Sequence, residues 1–455
     1  MKGWFRLSFV LLLALSCCRR GEEKAPDLLD RLRALSGVVV TEITPPADVA
    51  RAFEILVTQP VDHGDPSRGT FPQRVLLSHR DTGKPMVLCT LGYGLGANYV
   101  GELAHLLEAN QLLVTHRYFP NAKPSPVDWK YLTIAQAAAD HHHIVELFRA
   151  IYPAAWVNTG ASKGGMTAMY HRRFYPGDVR ATVAYVAPLM LGTEDPRFRT
   201  FLFEQVGTEA GRQRIRQFQR HLLEHRQEFL PLVVQAASSR GTSYPLGVEA
   251  SFEYAVLEFM FAFWQYGSGN TALIPGEDAS IEQMWTALTD ISSPLDYSVE
   301  NIDLYAPFWY QAFTELGYYP YYTDHLSDLL TAVSAPTYRS FAPAGAELDF
   351  HPQAMIDVRD WLAREGHRFL YIYGALDPYT VAAVDDPPAG IDALKVVQPG
   401  NNHGTRIASL DRKEEVCLAL ERWMAITIDR SRLASLPPAA VFPDDPRRRP
   451  TGPPS

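Results

Sequence analysis

The sequence predicts an α/β protein, a largely parallel sheet covered by helices on both faces and interrupted by a helical cap. Three observations lead there. Strand-like and helix-like hydrophobic periods alternate through roughly the first 190 residues, a helix-rich and aromatic-rich stretch follows, and the strand signal returns near residue 368. A chain of 455 residues, 47% hydrophobic and 20% charged, has ample material for a buried core and is not a coiled coil, a fibre or a disordered polymer. Its formal charge of −9 excludes a sequence-independent grip on nucleic acid, which needs a basic surface to displace phosphate counterions.

At the N-terminus, Lys2 and Arg6 precede an apolar run from Leu7 to Leu15 and then Ser16, Cys17 and Cys18, the charged, apolar and small-residue order of a secretory signal. The run is too short to span a bilayer. Residues 1–16 are expected to be removed on export, which takes away Lys2 and Arg6 and deepens the charge from −9 to −11. Ala14-Leu15-Ser16-Cys17 loosely resembles a lipobox, with Leu15 as a departure, so Cys17 is a candidate lipid attachment point and the product is secreted or held at the cell envelope. Residues 17–45, charged and then proline-containing, are expected to form a linker.

Strand signals cover residues 52–57, 74–79, 86–91, 112–115, 155–159 and 181–186, and helical periods cover 97–109, 132–151 and 163–174. The cap is expected over 191–345, with helices at 248–266 and 305–316. Strands then return at 368–373 and 394–397, before a closing helix at 412–426. The core therefore comprises 46–190 and 346–430, followed by a Pro-rich tail from 431 to 455 that is expected to be disordered from Pro437 onward. Beyond the signal region only Cys89 and Cys417 remain, both in apolar runs, and they read as buried small hydrophobes rather than a disulfide.

The chemistry is carried by the strand into Thr159-Gly160-Ala161-Ser162-Lys163-Gly164-Gly165 and the helix after it. This is a Gly-x-Ser-x-Gly turn in the strand-turn-helix setting of a nucleophile elbow, where glycines permit the sharp bend that lifts the hydroxyl above the sheet. The bland alternative is a helix-capping serine. A serine nucleophile needs a base and the base an orienting carboxylate, in the order Ser, acid, His in this kind of sheet. Asp377 stands at the end of a strand before Pro378, and His403 in the loop Pro399-Gly400-Asn401-Asn402-His403-Gly404 before the last helix. Ser162, Asp377 and His403 are thus the expected triad. The oxyanion is expected to be held by the backbone N–H groups of Lys163 and of Tyr93, the latter in Gly92-Tyr93-Gly94-Leu95-Gly96. No P-loop lysine follows these glycines, so they are not a phosphate cradle. His141-His142-His143 point in different directions on a helix and read as a partly solvated face, not a metal site. The reading calls for no cofactor and no metal.

These motifs, with Arg172-Arg173-Phe174-Tyr175-Pro176, Val183-Ala184-Tyr185-Val186-Ala187-Pro188, Gln59-Pro60-Val61-Asp62-His63, His116-Arg117-Tyr118-Phe119, Thr314-Glu315-Leu316-Gly317-Tyr318 and Leu376-Asp377-Pro378, resemble the secreted bacterial prolyl tripeptidyl aminopeptidases. More distantly the chain is similar to the lysosomal Pro-X carboxypeptidase and dipeptidyl peptidase group. The family often has a second glycine where Ala161 stands. The resemblance implies an α/β-hydrolase fold with a cap that restricts the site to chain ends. It also implies a serine exopeptidase that releases short peptides, tripeptides foremost and often after proline, from free N-termini. Such an enzyme must recognise an ammonium, for which a cap carboxylate is the natural partner. Glu315 is the first choice, beside Trp309 and Tyr318, with Glu253 and Glu258 behind it. The rivals are an exported esterase or lipase with the same triad and a catalytically dead binding module.

Overall fold

The computed structural model describes Met1 and residues 27–435. Its strands are β1 (Val38–Ile43), β2 (Arg51–Pro60), β3 (Thr70–His79), β4 (Met86–Thr90), β5 (Asn110–Val114), β6 (Trp156–Ala161), β7 (Ala181–Tyr185), β8 (Phe369–Gly374) and β9 (Leu394–Gln398). They form one sheet in the order β1-β2-β3-β5-β4-β6-β7-β8-β9. The six strands from β5 to β9 along this order are parallel, and β1, β2 and β3 add antiparallel pairings at one edge.

Burial follows from this layout. Strands β4, β5, β7 and β8 bury every residue and β6 all but Ala161, as a parallel sheet covered on both faces requires. On one face Leu103, Leu106, Val416 and Leu420 pack against Val87, Val157 and Ile372. On the other, Ile144, Val145 and Phe148 meet Leu77, Leu88 and Leu112. Each such fully buried side chain contributes roughly 1.5–3 kcal/mol.

The cap shares its core with the sheet. One hydrophobic cluster joins Met166, Met169 and Tyr371 of the α/β layers to Phe198, Leu222, Phe252 and Phe259 of the insertion. The helix Val248–Tyr266 has the predicted bounds, and every residue from Ala250 to Gln265 is buried, the fate of a helix that is apolar all round. The fold is that of an α/β-hydrolase.

Three expectations need correction. The stretch read as a linker holds a helix, Leu28–Arg33, and the edge strand β1, because Val38–Ile43 finds the whole free edge of β2 to pair with. The helix expected over 97–109 is only Glu102–Leu106, since the Gln111 side chain accepts from Gly101 N–H at 2.8 Å and donates to the Tyr99 carbonyl, holding the earlier residues as a loop. The helix expected at 305–316 begins at Val299, ends at Gln311 and passes into a π turn, Ala312–Leu316. Cys89 and Cys417 are both buried, and neither is in a disulfide among the described residues. Most of the expected export signal, Cys17 and the tail beyond Ser435 lie outside the described residues.

Candidate active site

Strand β6 runs directly into the helix Lys163–Phe174, and Ser162 makes the bend with φ 52° and ψ −125°. A non-glycine residue held there costs about 1–3 kcal/mol, so the surroundings must over-determine it. They do so by close approach. A Cβ on Gly160 would lie 2.2 Å from the Gly164 carbonyl oxygen and 2.7 Å from that of Thr90. Ser162 N–H donates to the Tyr185 carbonyl at 2.9 Å, while its hydroxyl makes no capping bond to the helix. That removes the capping-serine alternative.

Asp377 is fully buried where β8 ends. Its Oδ1 accepts from Tyr379 N–H at 3.1 Å, and its Oδ2 lies 2.6 Å from His403 Nδ1. With the carboxylate on Nδ1, the imidazole is oriented so that Nε2 is the nitrogen left for proton transfer. Nε2 is buried and has no hydrogen-bond partner among the described residues. The Tyr379 ring stands 5.4 Å from that of His403. The histidine loop also hangs from the cap, with His403 N–H donating to Gln265 O at 3.1 Å and Asn402 Nδ2 to Gly267 O at 2.8 Å. Ser162 and His403 line one cleft together with Gly92, Tyr93, Tyr99 and Arg406.

The loop expected to supply an oxyanion donor lies against the elbow. A Cβ on Gly92 would come within 2.6 Å of Gly164 N and 2.7 Å of Lys163 Cβ. This sets the Gly92–Tyr93 main chain beside the first turn of the helix, whose amides have no intrahelical acceptors. The loop is held from two sides, since Tyr93 O accepts from His116 N–H at 3.0 Å and Lys163 Nζ donates to Gly92 O at 2.7 Å. Lys163 is buried, with Nζ 5.7 Å from the centroid of Tyr93 and 5.4 Å from that of Phe119. Burial pushes its ammonium well below the usual lysine range.

A second chamber adjoins this cleft, with Tyr93 in the wall of both. Tyr305, Trp309, Tyr318, Tyr338 and Glu258 line it. The Tyr318 ring meets Trp309 edge-on at 5.2 Å, while Trp309 stacks on Tyr338 at 5.2 Å. Glu258 accepts hydrogen bonds from Tyr319 Oη at 2.7 Å and from Tyr338 Oη.

Residues 21–442 match the family described as PS-10 peptidase S37. The chain belongs to the peptidase S37 family. These are serine peptidases. The chain is 32% identical over 435 residues to the prolyl tri/tetrapeptidyl aminopeptidase of Streptomyces mobaraensis, covering 94% of this chain and 89% of that one. It is 29% identical over 206 residues to the mouse lysosomal Pro-X carboxypeptidase, 40% of each chain. A Mycobacterium smegmatis proline iminopeptidase aligns with a TM-score of 0.39 and 14% identity, over 84% of this chain and 100% of that one.

In this S37 chain the expected substrate residues divide. Trp309 and Tyr318 face the chamber, but Glu315 does not line it. Glu315 Oε2 accepts from Ile134 N–H at 2.7 Å, at the start of the helix Ile134–Arg149. It therefore serves a helix N-terminus, accepting from one of its orphan amides. Burial pushes its carboxyl up to about 7 against that hydrogen bond. Glu253 is also structural, paired with Arg226 at 2.6 Å and accepting from the Thr331, Ala332 and Val333 amides. Glu258, ranked behind Glu315 on sequence, is the one of the three candidate glutamates that lines the chamber. Tyr379 was missed, though it stands two residues after Asp377 and caps onto it. The three histidines diverge as expected but are less solvated. His141 is buried on the Ala137 carbonyl, His142 bonds Asp178, and His143 bonds Gln59. Among the described residues no group of His, Cys, Asp or Glu is arranged to hold a metal ion.

Proposed function

We propose that the protein is an exported serine exopeptidase that releases short peptides, tripeptides foremost and often after proline, from free N-termini. One observation carries the reading: His403, 2.6 Å from Asp377 and with Nε2 unpartnered among the described residues, shares a cleft with a serine held at positive φ. Ser162 Oγ attacks the carbonyl of the residue before the scissile bond, and His403 Nε2 takes its proton. The negative oxygen that forms is received by the Lys163 and Tyr93 amides. The same imidazolium protonates the leaving amine, and water activated by His403 then releases the acyl peptide. The preference for proline and for three or four residues is drawn from the Streptomyces relative's name and agrees with a chamber walled by rings. Export rests on the N-terminal residues, with Cys17 as the proposed site of lipid attachment.

The test uses the purified protein and Ala-Ala-Pro arylamide, with its amino group free and acetylated. Release from the free form alone is expected. Release from neither, beside rapid hydrolysis of a nitrophenyl ester, would replace the peptidase with an esterase.

A further inference from the structure

An exopeptidase that works from free N-termini needs an anion at a fixed reach from its nucleophile, in a place that strengthens its hold on a cation. The chamber beside the cleft has that form. It shares Tyr93 with the catalytic cleft, is surfaced by the rings of Tyr305, Phe308, Trp309 and Tyr338, and contains two carboxylates, Glu258 and Asp296, with no lysine or arginine among the described residues of its lining. Asp296 closes a local turn, its Oδ2 accepting from Ser293 N–H at 3.0 Å. Glu258 instead projects from the buried helix Val248–Tyr266, is only 8% exposed, and is fixed in place by the Tyr319 and Tyr338 hydroxyls. On the same helix Glu253 pairs with Arg226 and accepts from three backbone amides, and it does not line the chamber.

We propose that Glu258 is the anchor for the substrate's N-terminal ammonium. The inference rests on the peptidase reading above and gives its amine a binding site. The aromatic faces add cation–π attraction and exclude water, and the run of chamber from Tyr93 to Glu258 meters how many residues are cut off. Because the anchor pairs with an ammonium, an acetylated peptide loses the ion pair.

The experiment measures kcat/KM of wild type, Glu258→Gln and Glu258→Asp on free and acetylated Ala-Ala-Pro arylamide, with nitrophenyl acetate reporting the triad alone. Glu258→Gln should lower kcat/KM on the free peptide roughly a hundredfold, mostly through KM, and abolish the preference for the free amine. Ester turnover should stay within about twofold, which also shows that the variant is folded. Glu258→Asp should recover part of the preference. Glu258→Gln that keeps the wild-type preference would overturn the anchor while leaving the peptidase standing. So would acetyl-Lys-Ala-Pro arylamide cleaved as fast as the free peptide, since a side-chain cation would then suffice. Wild type that ignores the free peptide but turns over the ester would instead overturn the peptidase reading and the anchor with it.

Discussion

On the sheet side of the cleft Ser162 is held by main chain, and on the cap side the chamber is held by side chains. Gly160 and Gly92 approach their neighbours so closely that a single Cβ would meet backbone atoms within 2.6 Å. Around the chamber, Tyr379 Oη donates to Tyr318 Oη at 3.3 Å, Tyr318 to Tyr319 at 3.4 Å, and Tyr319 to Glu258 at 2.7 Å. A wall made of backbone leaves no room for substitution and fixes one chemistry. A wall made of rings and hydroxyls can be reshaped one side chain at a time, which is where the proposed function puts the choice of substrate.

The contrast can be broken most forcefully at Ser162. Ser162→Ala should lower turnover of peptide and ester alike by several orders of magnitude while leaving the thermal midpoint within a degree or two, unlike a chamber variant, which should spare the ester. Equal loss on both substrates from a chamber variant, or wild-type turnover from Ser162→Ala, would erase the division. Lys163 sits where the walls meet, its stem on the elbow and its Nζ on the Gly92 carbonyl. Lys163→Met keeps the apolar stem and removes the tether, so kcat should fall about tenfold with KM nearly constant, for ester as well as peptide. A change confined to KM would assign Lys163 to substrate binding instead.

The smallest effect is at the seam between cap and core. The Glu315 carboxyl is pushed up to about 7 in the folded chain, above its ordinary value of 4.5, so folding favours its neutral form. The protein therefore loses stability as pH rises from about 4.5 to 7, by at most on the order of 3 kcal/mol. Glu315→Gln keeps an acceptor for Ile134 N–H without the charge. It should raise the melting temperature by a few degrees at pH 8, with the gain vanishing below pH 4.5. An unchanged melting temperature at pH 8 would show that the cap–core seam does not carry this charge cost.

What the sequence disclosed follows the same division. The elbow is contiguous from Thr159 to Gly165 and begins a helix, Lys163–Phe174, whose bounds the apolar period marks. The pairing of Asp377 with His403 was legible because each stands in the turn that follows a strand. Strand β1 was hidden because, of its six residues, Val40 alone is buried, which leaves hardly any alternation to read. Glu315 misled because aromatic neighbours in sequence do not reveal that its partner amide is 181 residues away. Glu258 depends on hydroxyls 61 and 80 residues distant, a convergence that only the packed cap creates.

The helix Val248–Tyr266 also supports the imidazole, because the Gln265 carbonyl holds the main chain of His403 and Gly267 that of its neighbour through Asn402. Roof and proton acceptor are therefore mechanically one part. A displacement of the Gln265 end of that helix carries the His403 loop with it.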